Sequence, residues 1–212
     1  LFQWSAAPTA FDRKKSRTDM TLTRNDLWSL EEYAGRREEF RKQVLAHKKL
    51  RQVALGPHAT LYFEDQLTMQ YQIQEMLRVE RIFEAAEIEE ELSAYNPLIP
   101  DGSNWKATFM IEYGDIEERK QALATMGGIE ETVWVQVGNG TKAYAIANED
   151  MERTRDSKAA AVHFMRFELS AEDLQSVRDG ADVHMGLDHP SIANNVTLST
   201  EARQALCADL AL

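Results

Sequence analysis

Three polar residues stand inside an otherwise apolar helical segment, YQIQEMLRVERI, at residues 71–82. At about 100° per residue, Glu75 falls in one apolar stripe, Glu80 falls in a second stripe, and Gln72 lies between them. A carboxylate shut inside a protein either takes up a proton, with a raised pKa, or stays ionised beside a basic partner. The first outcome suits acid–base chemistry, and the second suits a structural brace.

The brace hypothesis requires arginines within reach of the two glutamates. Arg37 and Arg41 lie one turn apart on an earlier helical segment, and Arg166 lies on a later strand. Removing one member of such a buried pair costs about 3–5 kcal/mol, although the intact pair adds little net stability. The alternative of a functional cleft stays open, because structural ion pairs perturb pKa values as catalytic sites do.

The cleft hypothesis places a small-ligand pocket beside the same helix. Gln72 would orient the ligand, Glu75 would act as acid or base, and His163 or Arg166 would face them. The full set of ligand-binding candidates is Gln72, Glu75, Glu80, His163 and Arg166. In the strand AVHFMRFEL, alternation puts His163 on the apolar face. That position is typical of a hydrogen-bonded core histidine, with a general base or a ligand contact as the alternative.

A metal site is a further hypothesis, at the end of a strand read from DVHMGLDHP. His184, Asp188 and His189 offer imidazole and carboxylate ligands, which suit zinc or iron. The HExxH, ExxH and CxxC spacings are missing, and a short strand cannot easily fold its own residues around one ion. A polar strand rim followed by a turn before Pro190 is the alternative, and no other cofactor is predicted.

The elements that would position these residues are predicted from periodicity and turn signals. Helices are expected at residues 30–52, 64–94, 115–128, from 171 onward and at 200–210. Strands are expected at residues 59–63, 105–113, 158–169 and 181–187, with a hairpin at 131–147 that turns at Gly138-Asn139-Gly140. Residues 188–199 are predicted to form a polar loop.

This order predicts an α+β fold in which a mostly antiparallel sheet packs against a long central helix, with additional helices. Residues 1–19 have no signal-peptide pattern, and MTLTRNDL looks like a natural start, so we expect an engineered or upstream tail at 1–19 and a single domain at 20–212. In this fold, the long helix is expected to form one wall of the candidate site.

Charge and composition narrow the function classes. The chain carries 24 basic and 35 acidic residues, for a net charge of −11, which disfavours binding to nucleic acid or to anionic membranes. No run of apolar residues approaches the roughly 18 that a spanning helix needs. A single cysteine, Cys207, suits a reducing compartment, so we expect a cytoplasmic protein.

Three further segments carry a family resemblance. YQIQEMLRVE, ELSAYNPLIPDG and AVHFMRFEL, together with MTLTRNDL and the late DHP, resemble a bacterial family described only as a domain of unknown function. Genes of such proteins often neighbour those of rubrerythrin-like and iron–sulfur oxidoreductase proteins. The resemblance therefore implies a part in redox or peroxide defence, with one of those proteins as a partner. It supplies no catalytic residues.

The function expected first is an accessory or interaction protein of such a redox system. The first alternative is an enzyme or small-ligand-binding protein with its pocket beside the long helix, at Gln72 and Glu75. The second alternative is a metal-binding protein that uses His184, Asp188 and His189. The sequence leaves open whether the protein is an enzyme, what its ligand is and how many copies assemble.

Overall fold

The computed structural model describes residues 21–147, 149 and 159–211, so the predicted tail at 1–19 lies outside the described residues. Within these ranges the helices are α1 Leu30–Lys49, α2 Gln66–Glu80, α3 Ala85–Tyr95, α4 Ile116–Leu123, α5 Ala171–Arg178 and α6 Thr200–Cys207. The strands are β1 Gln52–Ala54, β2 Ala59–Phe63, β3 Asn104–Ile111, β4 Val133–Val137, β5 Ala143–Tyr144, β6 Ile146–Ala147, β7 Val162–Glu168, β8 Val183–His189 and β9 Ile192–Thr197.

The strands described form two antiparallel sheets. The first sheet has the order β1-β2-β3-β7-β6, and the second has the order β5-β4-β8-β9. Alternate residues of both sheets, among them Phe63, Trp105 and Met185, belong to one buried hydrophobic cluster. The other face of the first sheet carries polar and mixed side chains such as Lys106 and Arg166. The predicted α+β class with antiparallel strands is confirmed.

The predicted hairpin at 131–147 is present, but its second arm serves both sheets. Tyr144 of β5 pairs with Trp134 of β4, as a hairpin requires. Two residues later, Ile146 of β6 pairs with Arg166 of β7 in the first sheet. The arm therefore crosses from one sheet to the other within a few residues.

The polar loop predicted at 188–199 is wrong, because half of it is strand β9 and its first two residues end β8. This strand pairs with β8 from His184 opposite Thr197 to His189 opposite Ile192. Its residues are largely exposed, so the alternation of apolar and polar residues that marks a half-buried strand is missing. Backbone hydrogen bonds to β8 hold this strand in place, although its side chains lack the pattern of a half-buried strand.

The continuous helix predicted at 64–94 is also wrong, because the chain breaks between α2 and α3. Arg81 adopts the left-handed conformation, with φ of 59°, and its N–H bonds the carbonyl of Leu77. This is a common way for a helix to end, although glycine is the usual residue there. The turn folds α3 back, so that Ile88 and Leu92 join Ile73 and Leu77 in a second hydrophobic cluster.

Helix α1 and the segment before it cover a side of α2 that a helical wheel assigns to solvent, because the wheel puts Gln70, Gln74, Arg78 and Arg81 in one polar sector. Gln74 is fully buried, contrary to that assignment. Its Oε1 accepts a hydrogen bond from the N–H of Trp28 at 2.7 Å, and its Nε2 donates to the Trp28 carbonyl at 3.4 Å. Gln70 likewise donates to the carbonyl of Asp26 at 2.6 Å. These two glutamines provide hydrogen-bond partners for backbone groups in the irregular segment before α1.

A buried arginine joins the connection between β2 and α2 to helix α6 and the residues after it. Arg51, only 1% exposed, donates to the carbonyls of Phe63 at 3.2 Å, Glu64 at 3.1 Å and Ala205 at 3.0 Å, and it pairs with the carboxylate of Asp209. The planar guanidinium has enough donors for all four groups. Burial raises the pKa of Asp209 to about 6, so its charge depends on this partner.

Replacing Arg51 by methionine removes these donors and leaves Asp209 and three carbonyls buried without them. We expect the free energy of unfolding to fall by about 3–5 kcal/mol. Urea denaturation followed by circular dichroism measures the loss. The matched control is Arg41→Met, since Arg41 is exposed, and a similar loss in both variants would contradict the account.

Candidate functional site

The polar face of the first sheet carries the candidate site. Strand alternation puts Lys106 of β3 and Arg166 of β7 on this face, directly opposite each other in the register, with Phe164 beside them. Helices α2 and α3 and the short turn at Asn96–Leu98 supply the facing wall. Between the two lies a cavity of about 800 Å³, within the range typical of small-ligand sites.

The wall of the cavity is part apolar and part charged. Its apolar surface comes from helix, turn and strand together, chiefly Met76, Pro97, Leu98 and Phe164. Lys106, Arg166, Glu91, Glu149 and Tyr95 supply its polar groups. Such a mixture, with few polar groups on an apolar lining, suits an amphipathic small molecule.

Arg166 is held by two carboxylates. Its Nε and Nη2 donate to the two oxygens of Glu149, each at 3.0 Å, and its Nη1 pairs with Glu168. The hydrogen bond from Arg166 is the first cause of a lowered pKa at Glu149. The guanidinium is therefore neutralised and fixed in place, and it shapes the cavity.

Lys106 is different, because it makes no ion pair with a carboxylate among the described residues. Its Nζ donates one hydrogen bond, to the carbonyl of Pro97 at 2.6 Å. The side chain is half-buried, and this burial lowers the pKa of the ammonium group. An ammonium has three N–H donors, so two are left for other acceptors.

Tyr95 and Glu91 of α3 form the opposite polar edge of the cavity. The side chain of Gln72 hydrogen-bonds the Tyr95 hydroxyl, whose pKa is raised mainly by burial. Burial is also the first cause of a raised pKa at Glu91, followed by the charges of Glu80 and Glu90. Glu91 can therefore exchange a proton with a ligand in the cavity, and the Tyr95 hydroxyl can donate a hydrogen bond to one.

Glu75 lies away from this cavity and joins α1 to α2. Its two oxygens accept from Arg37 Nε at 2.7 Å and Nη2 at 2.9 Å, and from Tyr33 Oη at 2.6 Å and Arg78 Nη2 at 3.1 Å. The hydrogen bond from Arg37 is the main cause that lowers the pKa of Glu75 to about 2. The predicted pairing with Arg37 is confirmed.

Most of the remaining candidates beside the helix lie away from the cavity. Glu80 is exposed, so its predicted burial is wrong, because the left-handed residue Arg81 ends the helix just after it. His163 is fully buried on the core face of β7, where its Nε2 lies 3.0 Å from the Ala160 carbonyl. It therefore faces away from Arg166. Of the five predicted residues, Arg166 lines the cavity directly, and Gln72 reaches it through Tyr95.

The three metal-ligand candidates are not brought together. Adjacent residues of a strand point to opposite faces, so His189 faces away from Asp188 and His184, which are about 13 Å apart along β8. The carboxylate of Asp188 binds Lys142 Nζ at 2.7 Å. His189 Nδ1 accepts from the Ser191 N–H at 3.1 Å, and its Nε2 lies 3.3 Å from the Gly127 carbonyl. The part of the chain that the structure describes holds no cluster of three metal-ligating side chains.

Sequence reasoning missed Lys106, Glu91 and Tyr95. Alternation along WKATFMIEY places Lys106 on the face opposite Trp105, and the same rule applied to β7 selects Arg166. Comparing the two strands would therefore have indicated a basic pair. Glu91 and Tyr95 depend on the fold-back of α3, which an uninterrupted helix hides.

The structure is that of an α+β protein in which helices cover a cavity on one face of a sheet. The chain belongs to the family described as "Protein of unknown function (DUF3501)", whose model matches residues 21–210. It is similar to the crystal structure of a novel protein of unknown function from Burkholderia pseudomallei, with a TM-score of 0.85 and 45% identity over 90% of this chain and 100% of that chain. Among curated proteins, none is significantly similar to this chain. None of the helices described has the length and apolar character to cross a membrane.

Glu75→Gln tests the brace. The variant keeps the shape of the side chain but loses its charge, so we expect a loss of about 1–2 kcal/mol at neutral pH, limited by solvent screening of Arg37. Because folding lowers the pKa of Glu75 from 4.5 to about 2, the stabilisation is complete above pH 4.5 and disappears as the pH falls toward 2.

Urea denaturation of both proteins across this pH range measures the difference. Glu80→Gln is the matched control, since Glu80 is exposed, and it is expected to behave like the parent protein. A stability difference for Glu75→Gln that stays constant down to pH 2 would contradict the account.

Proposed function

We propose that this protein binds an amphipathic small molecule in the cavity between α3 and the polar face of the first sheet. The observation that carries the proposal is the cavity itself, about 800 Å³ with apolar walls and a small set of polar groups. Apolar area withdrawn from water contributes about 25 cal/mol per Å². A ligand with a short hydrocarbon body therefore gains affinity from Met76, Leu98 and Phe164.

The arrangement of polar groups supports a ligand that is fixed at one end. Lys106 and Arg166 lie together on the sheet, whereas Tyr95 and Glu91 lie on the helix opposite. Gln72 holds the hydroxyl of Tyr95 in position. The single cysteine, Cys207, suits the cytoplasm as the place where such a protein works.

The chain offers its own reporters for this proposal. The side chain of Met76 lines the cavity, whereas those of Met69, Met126 and Met165 are buried in hydrophobic clusters. With ¹³C-methyl methionine labelling, titration with n-octanol is expected to shift the methyl signal of Met76 and to leave those of Met69 and Met126 nearly unchanged. An unchanged signal of Met76 at the solubility limit of n-octanol would contradict the proposal.

A pair of variants on α3 sharpens this experiment. Ala94 lines the cavity, so Ala94→Trp is expected to fill it and abolish the n-octanol shifts. Ala86 is exposed on the same helix and lies outside the lining, so Ala86→Trp is the matched control and keeps the shifts. Loss of the shifts in both variants would place the binding elsewhere.

An accessory role in a redox or peroxide-defence system is our second candidate function. Val79 and Phe83 flank the break at Arg81 and expose 59% and 71% of their surface. Exposed apolar groups close together in the chain favour a protein contact. The family resemblance supports an iron–sulfur oxidoreductase or a rubrerythrin-like protein as the partner.

Replacing both residues tests this second candidate. Tagged protein expressed in its own bacterial host is expected to co-purify with an iron-containing protein of either class, identified by mass spectrometry and iron analysis. The double variant Val79→Ser, Phe83→Ser should lose that partner. The control Leu45→Ser, Leu50→Ser alters two other exposed apolar residues and should keep it. Capture that is equal in both double variants would contradict a contact at this surface.

A further inference from the structure

Of the two basic groups in the cavity, Lys106 has fewer partners than Arg166. Its one hydrogen bond, at 2.6 Å, goes to the uncharged carbonyl of Pro97. The aliphatic stem and the amine lie against the same cavity as Phe164 and Leu98. An amine in such surroundings loses hydration that a charged form needs, so its neutral form becomes more accessible.

The surrounding charges argue against an anionic ligand at this position. Lys106 interacts with one cation, Arg166, and with the carboxylates of Asp101, Glu149 and Glu168. Two positive groups therefore face three negative ones before any ligand arrives. A further carboxylate would add repulsion, whereas an uncharged oxygen would accept a hydrogen bond from Lys106 without it.

The same cavity holds a carboxyl group that can exchange a proton. Glu91 lines it and forms no ion pair with a cation among the described residues. A carboxyl group with a raised pKa can carry a proton near neutral pH more readily than an exposed one. The cavity thus combines a half-buried amine with a carboxyl group whose pKa is raised.

We propose that Lys106 is a reactive amine that binds an uncharged, amphipathic aldehyde or ketone in this cavity as a Schiff base. This inference rests on the proposed function, because the apolar body of the carbonyl compound occupies the cavity. Lysine is the side chain that forms such adducts in proteins, and a desolvated position activates it.

The reaction balances without a further reagent. Lys106 first gives one proton to a base such as Glu91. Its nitrogen lone pair then attacks the carbonyl carbon, a C–N bond forms, and the carbonyl electron pair moves to oxygen, which takes up a proton. The nitrogen then gives up a second proton, which turns the hydroxyl into leaving water. As the C–O bond breaks, the nitrogen lone pair forms the C=N bond of a protonated imine. In total, the ammonium and the carbonyl compound give the iminium and one water.

Reductive trapping tests the inference on the full chain. The protein is treated at pH near 7 with limiting n-octanal and cyanoborohydride, and the modified lysines are mapped by peptide mass spectrometry. Lys120, with 61% of its side chain exposed, is the internal control. We expect severalfold more adduct at Lys106 than at Lys120, because burial lowers the pKa of Lys106 and the cavity holds the hydrocarbon chain of the aldehyde beside this residue.

Adduct formation at Lys106 no faster than at Lys120 would overturn the inference. Ala94→Trp is expected to remove the preference for Lys106, and Ala86→Trp is expected to keep it. An unchanged preference in Ala94→Trp would also overturn the inference, because the reaction would not need the cavity.

The two proposals fail in different ways. If n-octanol shifts the Met76 signal but n-octanal does not select Lys106, the cavity binds small molecules and the Schiff base is wrong. If n-octanol does not shift the Met76 signal and n-octanal does not select Lys106, both proposals are wrong.

Discussion

The left-handed turn at Arg81 determines what the polar face of the first sheet meets. It ends α2 after Glu80 and sends α3 back along the neighbouring helix, where Leu92 joins Ile73 in a shared hydrophobic cluster. This fold-back, followed by the turn at Asn96–Leu98, places Tyr95 and Leu98 opposite Lys106. A continuous helix would carry these residues away from the sheet, and the cavity would lose one wall.

Polar side chains inside the helical layer have two different roles. Gln74 and Glu75 are adjacent in the chain, and both hold α2 to the segment that comes before it. Gln74 bonds the backbone of Trp28, and Glu75 bonds Arg37 and Tyr33. Gln72 points instead toward Tyr95 at the cavity. These three polar residues, within four positions of the chain, thus contact different neighbours. Of the three, only Gln72 reaches the candidate site.

The parts of the fold that follow from local chemistry could be predicted. Strand alternation and the glycine turn predicted β3, β7 and the hairpin of β4 with β5, and the helix expected from residue 171 is α5, which Ser170 caps. What failed depends on tertiary contacts. No glycine marks the helix end at Arg81, and β9 has no alternating pattern because backbone pairing alone holds it. For the same reason the wheel assigned Gln74 to solvent, since the residues that cover it lie 46 positions earlier.

The central claim is that the space between α3 and the sheet accepts the hydrocarbon part of a ligand. Crystals soaked with n-octanol that carries a terminal bromine test this directly, since anomalous scattering locates the bromine without bias from the protein coordinates. The account predicts a bromine peak between Met76, Leu98 and Phe164. Bromine peaks at other apolar surfaces, with none in this cavity, would contradict it.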